Sequence, residues 1–232
     1  MSTISWPGRG AFVWTCSAIL LCGLWLPCTL QARELVVRVV DAHGTPLQYA
    51  AVLANWTDGR AAPASAKPVA MMQKNLRFQP LMMIVPAGSS VTFLNYDHTR
   101  HHVYSFSQAK RFDIKLYVGK PDREISFDTP GVVTIGCNIH DQMQAFIVVN
   151  DQPVGVVTDG AGYARLKNLP DKPITLSIWH PWMPGEHVRK NQTSAADQAA
   201  VTVRLDVDPP PPLPHGGHHS LQDRFDQLSG QP

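Results

Sequence analysis

The sequence predicts an all-β protein. Short runs alternate apolar and polar residues with the period of a half-buried strand: Val91 and Phe93 around Thr92, Ile125 and Phe127 around Ser126, Val133 and Ile135 around Thr134. Clusters of turn-forming residues separate the runs, among them Asp41-Ala42-His43-Gly44-Thr45-Pro46 and Asp159-Gly160-Ala161-Gly162. Between Leu76 and Val149 no long stretch repeats with a helical period.

Taken in order, Leu35 to Val40 is rich in β-branched residues and reads as the first strand, and a second apolar stretch runs from Leu47 to Leu53. Residues 61–70 (AAPASAKPVA) are small, proline-containing and aperiodic, as in a linker. Residues 71–150 carry the alternating runs above and close on Phe146 to Val149, a fully buried strand; together they read as an antiparallel sandwich. Further strands follow at Val154–Thr158, Tyr163–Leu166, Ile174–Ile178 and Val201–Val207. Residues 209–232 open on four prolines, carry His215, His218 and His219, and read as a disordered tail.

With 232 residues the chain can bury a sizeable core. Twenty Lys and Arg against 18 Asp and Glu leave a charge of +2, which excludes the dense cationic surface of a nucleic-acid binder. Arg9 is the only charged residue in 1–32 and precedes an apolar run through Leu26. Such a segment reads as a cleavable signal peptide ending at Ala32, which implies a periplasmic or otherwise exported protein with no stable membrane insertion after cleavage. An uncleaved membrane anchor is the alternative. Cleavage removes Cys16, Cys22 and Cys28, so Cys137 remains alone with no disulfide partner. A lone thiol in an oxidising compartment is either buried or held by a metal.

The neighbours of Cys137 favour a metal. Cys137-Asn138-Ile139-His140-Asp141-Gln142-Met143 offers a thiolate, an imidazole and a thioether directly after a strand, and His98, His101 and His102 lie upstream. Soft sulfur combined with imidazole nitrogen suits copper, and two His with one Cys and a distant Met define the blue-copper arrangement. Structural zinc would want a second cysteine, and haem attachment would need C-x-x-C-H; residues 33–232 offer neither.

From Phe78 to Val149 the chain resembles the cupredoxins, the plastocyanin and amicyanin group in particular. The motifs are Phe78-x-Pro80, Val85-x-x-Gly88-x-x-Val91-x-Phe93-x-Asn95, His101-His102-Val103 and the short ligand loop Cys137-x-x-His140-x-x-Met143. The resemblance implies a Greek-key β-sandwich with one type-1 copper ion. His101, Cys137 and His140 would be the equatorial ligands, Met143 the axial one, and Asn95 would tie the two ligand-bearing segments together. His102 is the second choice for the first ligand; successive strand residues face opposite ways, so only one of the pair can face the metal. His98 reads as a solvent-facing loop residue. Asp141 and Gln142 make this loop more polar than the family's usual one.

The flanking segments, 33–60 and 154–208, resemble two halves of a carboxypeptidase-regulatory-like (transthyretin-like) sandwich into which the cupredoxin module is inserted. Asp41-x-x-Gly44-x-Pro46-Leu47-x-x-Ala50-x-Val52 matches its opening, and Thr158-Asp159-x-x-Gly162-x-Ala164-x-Leu166-x-x-Leu169-Pro170 matches its later strands. Neither half could bury its apolar strands alone. Trp179-His180-Pro181-Trp182 reads as packing at an edge.

These features imply an electron-transfer protein rather than an enzyme, since a filled type-1 site leaves no open position for substrate. The alternative is a non-redox copper-binding module for storage, delivery or sensing. The expected partner is a redox protein of cytochrome c or dehydrogenase type. A basic stretch with Arg100, Lys110, Arg111, Lys115 and Lys120 would steer one with an acidic surface.

Overall fold

The computed structural model describes residues 33–186 and 189–208, together with residue 2. Apart from that residue, the expected export segment 1–32 lies outside the described residues, as does the expected tail 209–232. The protein is all-β, and among the described residues no helix is long and apolar enough to cross a membrane. In chain order the strands are β1 (Arg33–Val40), β2 (Ala51–Asn55), β3 (Val69–Gln73), β4 (Phe78–Gln79), β5 (Met82–Pro86), β6 (Ser89–Asn95), β7 (His101–Ser105) and β8 (Phe112–Tyr117). There follow β9 (Ile125–Phe127), β10 (Gly131–Gly136), β11 (Gln144–Asn150), β12 (Val154–Val157), β13 (Tyr163–Leu169), β14 (Ile174–Trp179), β15 (Lys190–Ser194) and β16 (Ala200–Arg204). β3 begins two residues inside the segment expected as linker.

Two sheets, ordered β5-β11-β10-β7-β8 and β4-β3-β6-β9, close over one core. Met71, Phe93, Phe127, Val133, Ile135 and Ile147 fill it, each with no solvent-exposed surface. Two further sheets, β13-β1-β16 and β12-β2-β14-β15, share a second core that draws Leu35, Val37 and Val52 from one end of the sequence and Leu166, Leu176 and Val203 from the other. The pairing is mixed rather than purely antiparallel as the alternation suggested: β11 with β5, β3 with β6, and β1 with β16 run parallel. Period-two patterning reports which face a residue takes and carries no information on the direction of the neighbouring strand.

A third cluster joins the two cores. Met82, Val132, Phe146 and Val148 lie on the outer face of the first sheet and pack against Ala51, Leu53 and Trp179. Trp179 is therefore a buried contact, 3% exposed and edge-on to Phe146 at 5.4 Å between ring centroids, and not an edge residue.

Candidate metal centre

β7 and β10 lie side by side, and strand geometry decides what they point inward. His101 opens β7 facing the core with no exposed surface, while His102 faces outward, where its Nε2 meets Asp113 Oδ1 at 2.5 Å and its ring lies 5.6 Å from Tyr104. β10 ends at Gly136, and Cys137 follows as a buried residue, 4% exposed. A side chain at Gly136 would meet the Tyr104 ring at 2.9 Å, so the residue before the cysteine must be small for the two strands to approach. The tight turn after Cys137 is closed by two backbone bonds, Met143 N–H to the His140 carbonyl (2.9 Å) and Cys137 N–H to the Met143 carbonyl (3.2 Å). That closure folds His140 back over the cysteine and carries Met143 into the core, 2% exposed.

Three of the expected donors converge. Cys137 Sγ lies 3.8 Å from His101 Nδ1 and 3.6 Å from His140 Nδ1, and the two Nδ1 atoms are 3.2 Å apart. A first-row cation about 2.3 Å from sulfur and about 2.05 Å from each nitrogen, in one plane with them, would hold sulfur and nitrogen about 3.8 Å apart and the nitrogens about 3.5 Å apart. The side chains thus already stand within about 0.3 Å of the separations that such a cation requires, and the soft-sulfur, imidazole donor set fits copper. Met143 lies in the same core cluster as Cys137. His102 and the exposed His98 stand outside the group.

Asn95 acts differently from expectation. Its amide donates to the carbonyls of Thr99 and Tyr117, both at 2.9 Å, and its Oδ1 accepts the Asp97 N–H at 2.9 Å. It therefore shapes the loop leading into β7 and ties it to the end of β8; among the described residues its bonds do not reach the cysteine segment.

The residue that the sequence reading missed is Asp97. Its Oδ2 lies 2.8 Å from His101 Nε2, and the same carboxylate accepts the N–H groups of Asn75 (2.7 Å) and Leu76 (3.0 Å). Asn75 and Leu76 both have φ 55°, a left-handed pair that the carboxylate holds in place. Burial works to raise the Asp97 pKa, but the His101 bond and the two backbone N–H groups together hold the carboxyl below its ordinary value. An ionised acceptor at Nε2 makes that nitrogen the proton carrier and leaves Nδ1, on the side of His140 Nδ1 and Cys137 Sγ, with its lone pair unprotonated. The available signal was an Asp four positions before His101, in a loop where Asp also serves as an ordinary turn former.

Below the site, Tyr117 donates to the Phe93 carbonyl (2.6 Å) and accepts from Gln73 Nε2 (2.5 Å). Burial pushes its pKa up to about 12. Beside the site a cavity of about 650 Å³ is lined by Tyr104, Thr134, Cys137, Met143 and Glu186.

No protein-family model matches the chain, and no curated protein matches it. Among solved structures it is similar to a copper-containing nitrite reductase from Thermus scotoductus SA-01, at 21% identity and TM-score 0.34 over 48% of this chain. It spans 28% of that reductase chain. It is also similar to a reduced mutant of amicyanin (16% identity, 42% of this chain, 97% of that chain, TM-score 0.34). A purple cupredoxin from Nitrosopumilus maritimus matches at 21% identity, 34% of this chain, 97% of that chain and TM-score 0.29. At these scores the functional reading rests on the residues of the site and their distances.

Proposed function

We propose that this protein is an exported type-1 copper protein that carries single electrons between redox partners. The observation that carries the reading is the convergence of His101 Nδ1, Cys137 Sγ and His140 Nδ1 within 4.8 Å of one another. Bound copper supplies the one-electron couple. His101, Cys137 and His140 would hold it, with Met143 as a weaker thioether donor, and Asp97 fixes the His101 tautomer. Donors that already stand together limit the rearrangement on changing oxidation state. A carrier, rather than an enzyme, follows from a donor set that fills every strong position.

Within this reading 71–150 is the copper module, 33–60 and 154–208 form a split carboxypeptidase-regulatory-like sandwich around it, and 1–32 directs export. The partner is a redox protein whose acidic surface meets the basic stretch. Of those cations, Lys115 is paired with Asp113 (2.6 Å) and Lys120 with Glu124 (3.9 Å), both largely exposed and therefore weak pairs that a partner can exchange.

Reconstitution with cupric ion tests the reading. An intense visible sulfur-to-copper band that disappears in Cys137→Ser, together with a reversible one-electron titration, is the expected outcome. A colourless cupric protein would end it. The second reading, a non-redox copper carrier, is favoured by the cavity that reaches Cys137 and Met143, an approach for metal exchange. Tight cuprous binding without reversible oxidation would select it.

A further inference from the structure

His101 and Cys137 are set by neighbouring strands, yet β7 and β10 share a single registered backbone pair, Tyr104 with Gly136. In the same sheet β10 and β11 share six. Past that one pair, the Thr134 N–H turns to the Ser107 hydroxyl at 2.9 Å. Ser107 Oγ donates in turn to Glu186 Oε1 (2.5 Å), and Thr134 Oγ1 donates to the same oxygen (2.7 Å).

Glu186 comes from the segment between β14 and β15, which belongs to the other core. That segment is pinned: Trp179 Nε1 donates to the Gly185 carbonyl (3.1 Å), and Arg189 Nη1 donates to the Glu186 carbonyl (2.7 Å). The Arg189 guanidinium also lies over the Trp179 ring at 5.8 Å. The same tryptophan packs on Phe146 of β11, so the segment is fixed against the sheet that bears the site.

We infer that Glu186 is a positioning residue for the metal centre, its carboxylate closing the gap between β7 and β10 and thereby setting the separation of His101 from Cys137. A carboxylate oxygen accepting from two hydroxyls is a charge-assisted junction, stronger than the neutral ladder bonds it replaces. A cavity lined by Thr134, Glu186, Cys137 and Met143 opens on this side of the strand pair. The second sandwich would then act directly on the geometry of the copper site. The inference rests on the proposed reading of that site for its effect on copper, but not for its effect on the cysteine.

The test has two arms, both on the full chain. In metal-free protein, the rate at which Cys137 reacts with an aromatic disulfide reagent reads the opening of the strand pair. Glu186→Ala should react about tenfold faster, because a charge-assisted bond no longer resists local opening. Glu186→Gln, whose amide oxygen still accepts both hydroxyls but without the charge, should react more slowly than Glu186→Ala and within about threefold of native. Thr134→Val supplies a milder variant should Glu186→Ala fail to fold, with a smaller acceleration. In the second arm cupric ion is added, and Glu186→Ala should move the sulfur-to-copper band while Glu186→Gln leaves it in place. A folded Glu186→Ala protein with the native thiol rate overturns the inference, and so does a faster thiol beside an unmoved band. A wild-type protein with no such band overturns the reading of the site instead, while the thiol arm still decides whether Glu186 governs Cys137.

Discussion

Asp97 reaches His101 through the nitrogen that faces away from the sulfur: Oδ2 lies 2.8 Å from Nε2, while Nδ1 of the same ring lies 3.8 Å from Cys137 Sγ. The carboxylate therefore selects the tautomer that presents a lone pair to a metal. Replacing Asp97 with Ala should weaken copper binding about 10- to 100-fold, the range for losing a carboxylate behind a histidine ligand. A competition titration against a chromophoric chelator measures this. Unchanged affinity would mean that His101 is oriented by packing alone.

The two adjacent histidines should separate cleanly. His101 is buried beside Cys137, and His102 faces outward against Asp113 and Tyr104. His101→Ala should abolish the visible band, whereas His102→Ala should leave copper affinity within about threefold of native, as expected for a site outside the ligand group. A reversal of these results would place the metal on the other face of β7.

How much of this was legible beforehand depended on range. Cys137, His140 and Met143 fall within one turn, so the sequence displays them together, and strand alternation leaves only one of His101 and His102 on the inner face. Asp97 escaped because a turn-forming Asp looks the same whether or not a histidine lies behind it. Glu186 escaped for a stronger reason. Its partners Ser107 and Thr134 lie 79 and 52 residues away, and the packing of the two cores through Trp179 and its neighbours brings them together. The parallel β1–β16 pair was hidden likewise, since each strand alternates correctly whichever neighbour it takes.

Tyr117 and Gln73 form a buried polar pair. The Gln73 side chain has no exposed surface, and its Oε1 has no hydrogen-bond partner among the described residues, so the Nε2 bond to Tyr117 is what offsets its desolvation. Tyr117→Phe should therefore destabilise the protein by about 1–3 kcal/mol, the cost of leaving a buried donor unpaired. Adding Gln73→Leu should recover part of the loss in urea unfolding. A spectrophotometric titration of the wild type should show one phenol ionising at about 12.

Trp179 holds the two cores against each other. Its burial at 3% exposure against Phe146 predicts that Trp179→Ala costs about 3–5 kcal/mol, the range for deleting a buried aromatic. Because the contact lies between cores rather than within one, urea unfolding followed by tryptophan fluorescence and by far-ultraviolet dichroism should cease to coincide in the variant. Coincident transitions in the variant would show that the remaining contacts of Ala51, Leu53 and Phe146 suffice to couple the cores.

His180 gives the protein a pH dependence of known sign. It is 3% exposed, its Nε2 donates to the Gln48 carbonyl (3.0 Å), and its Nδ1 accepts the Trp182 N–H (3.2 Å). Burial lowers its pKa below the usual 6.5, outweighing the opposing pull of the Gln48 carbonyl. Protonating Nδ1 would also set one N–H against another. The unfolded chain takes up a proton near pH 6.5 while the folded chain resists, so between the two values the unfolded state binds more protons and stability rises with pH. The contribution is complete above about pH 7 and is lost as pH falls through 6.5 toward the lower folded value. Asp41, Asp97 and Asp113 are held below 3.8 in the fold and act only in more acidic solution. Urea unfolding at intervals between pH 8 and pH 5 should show stability rising more steeply with pH for the wild type than for His180→Leu. Parallel curves would mean that His180 charges as freely in the folded protein as in the unfolded one.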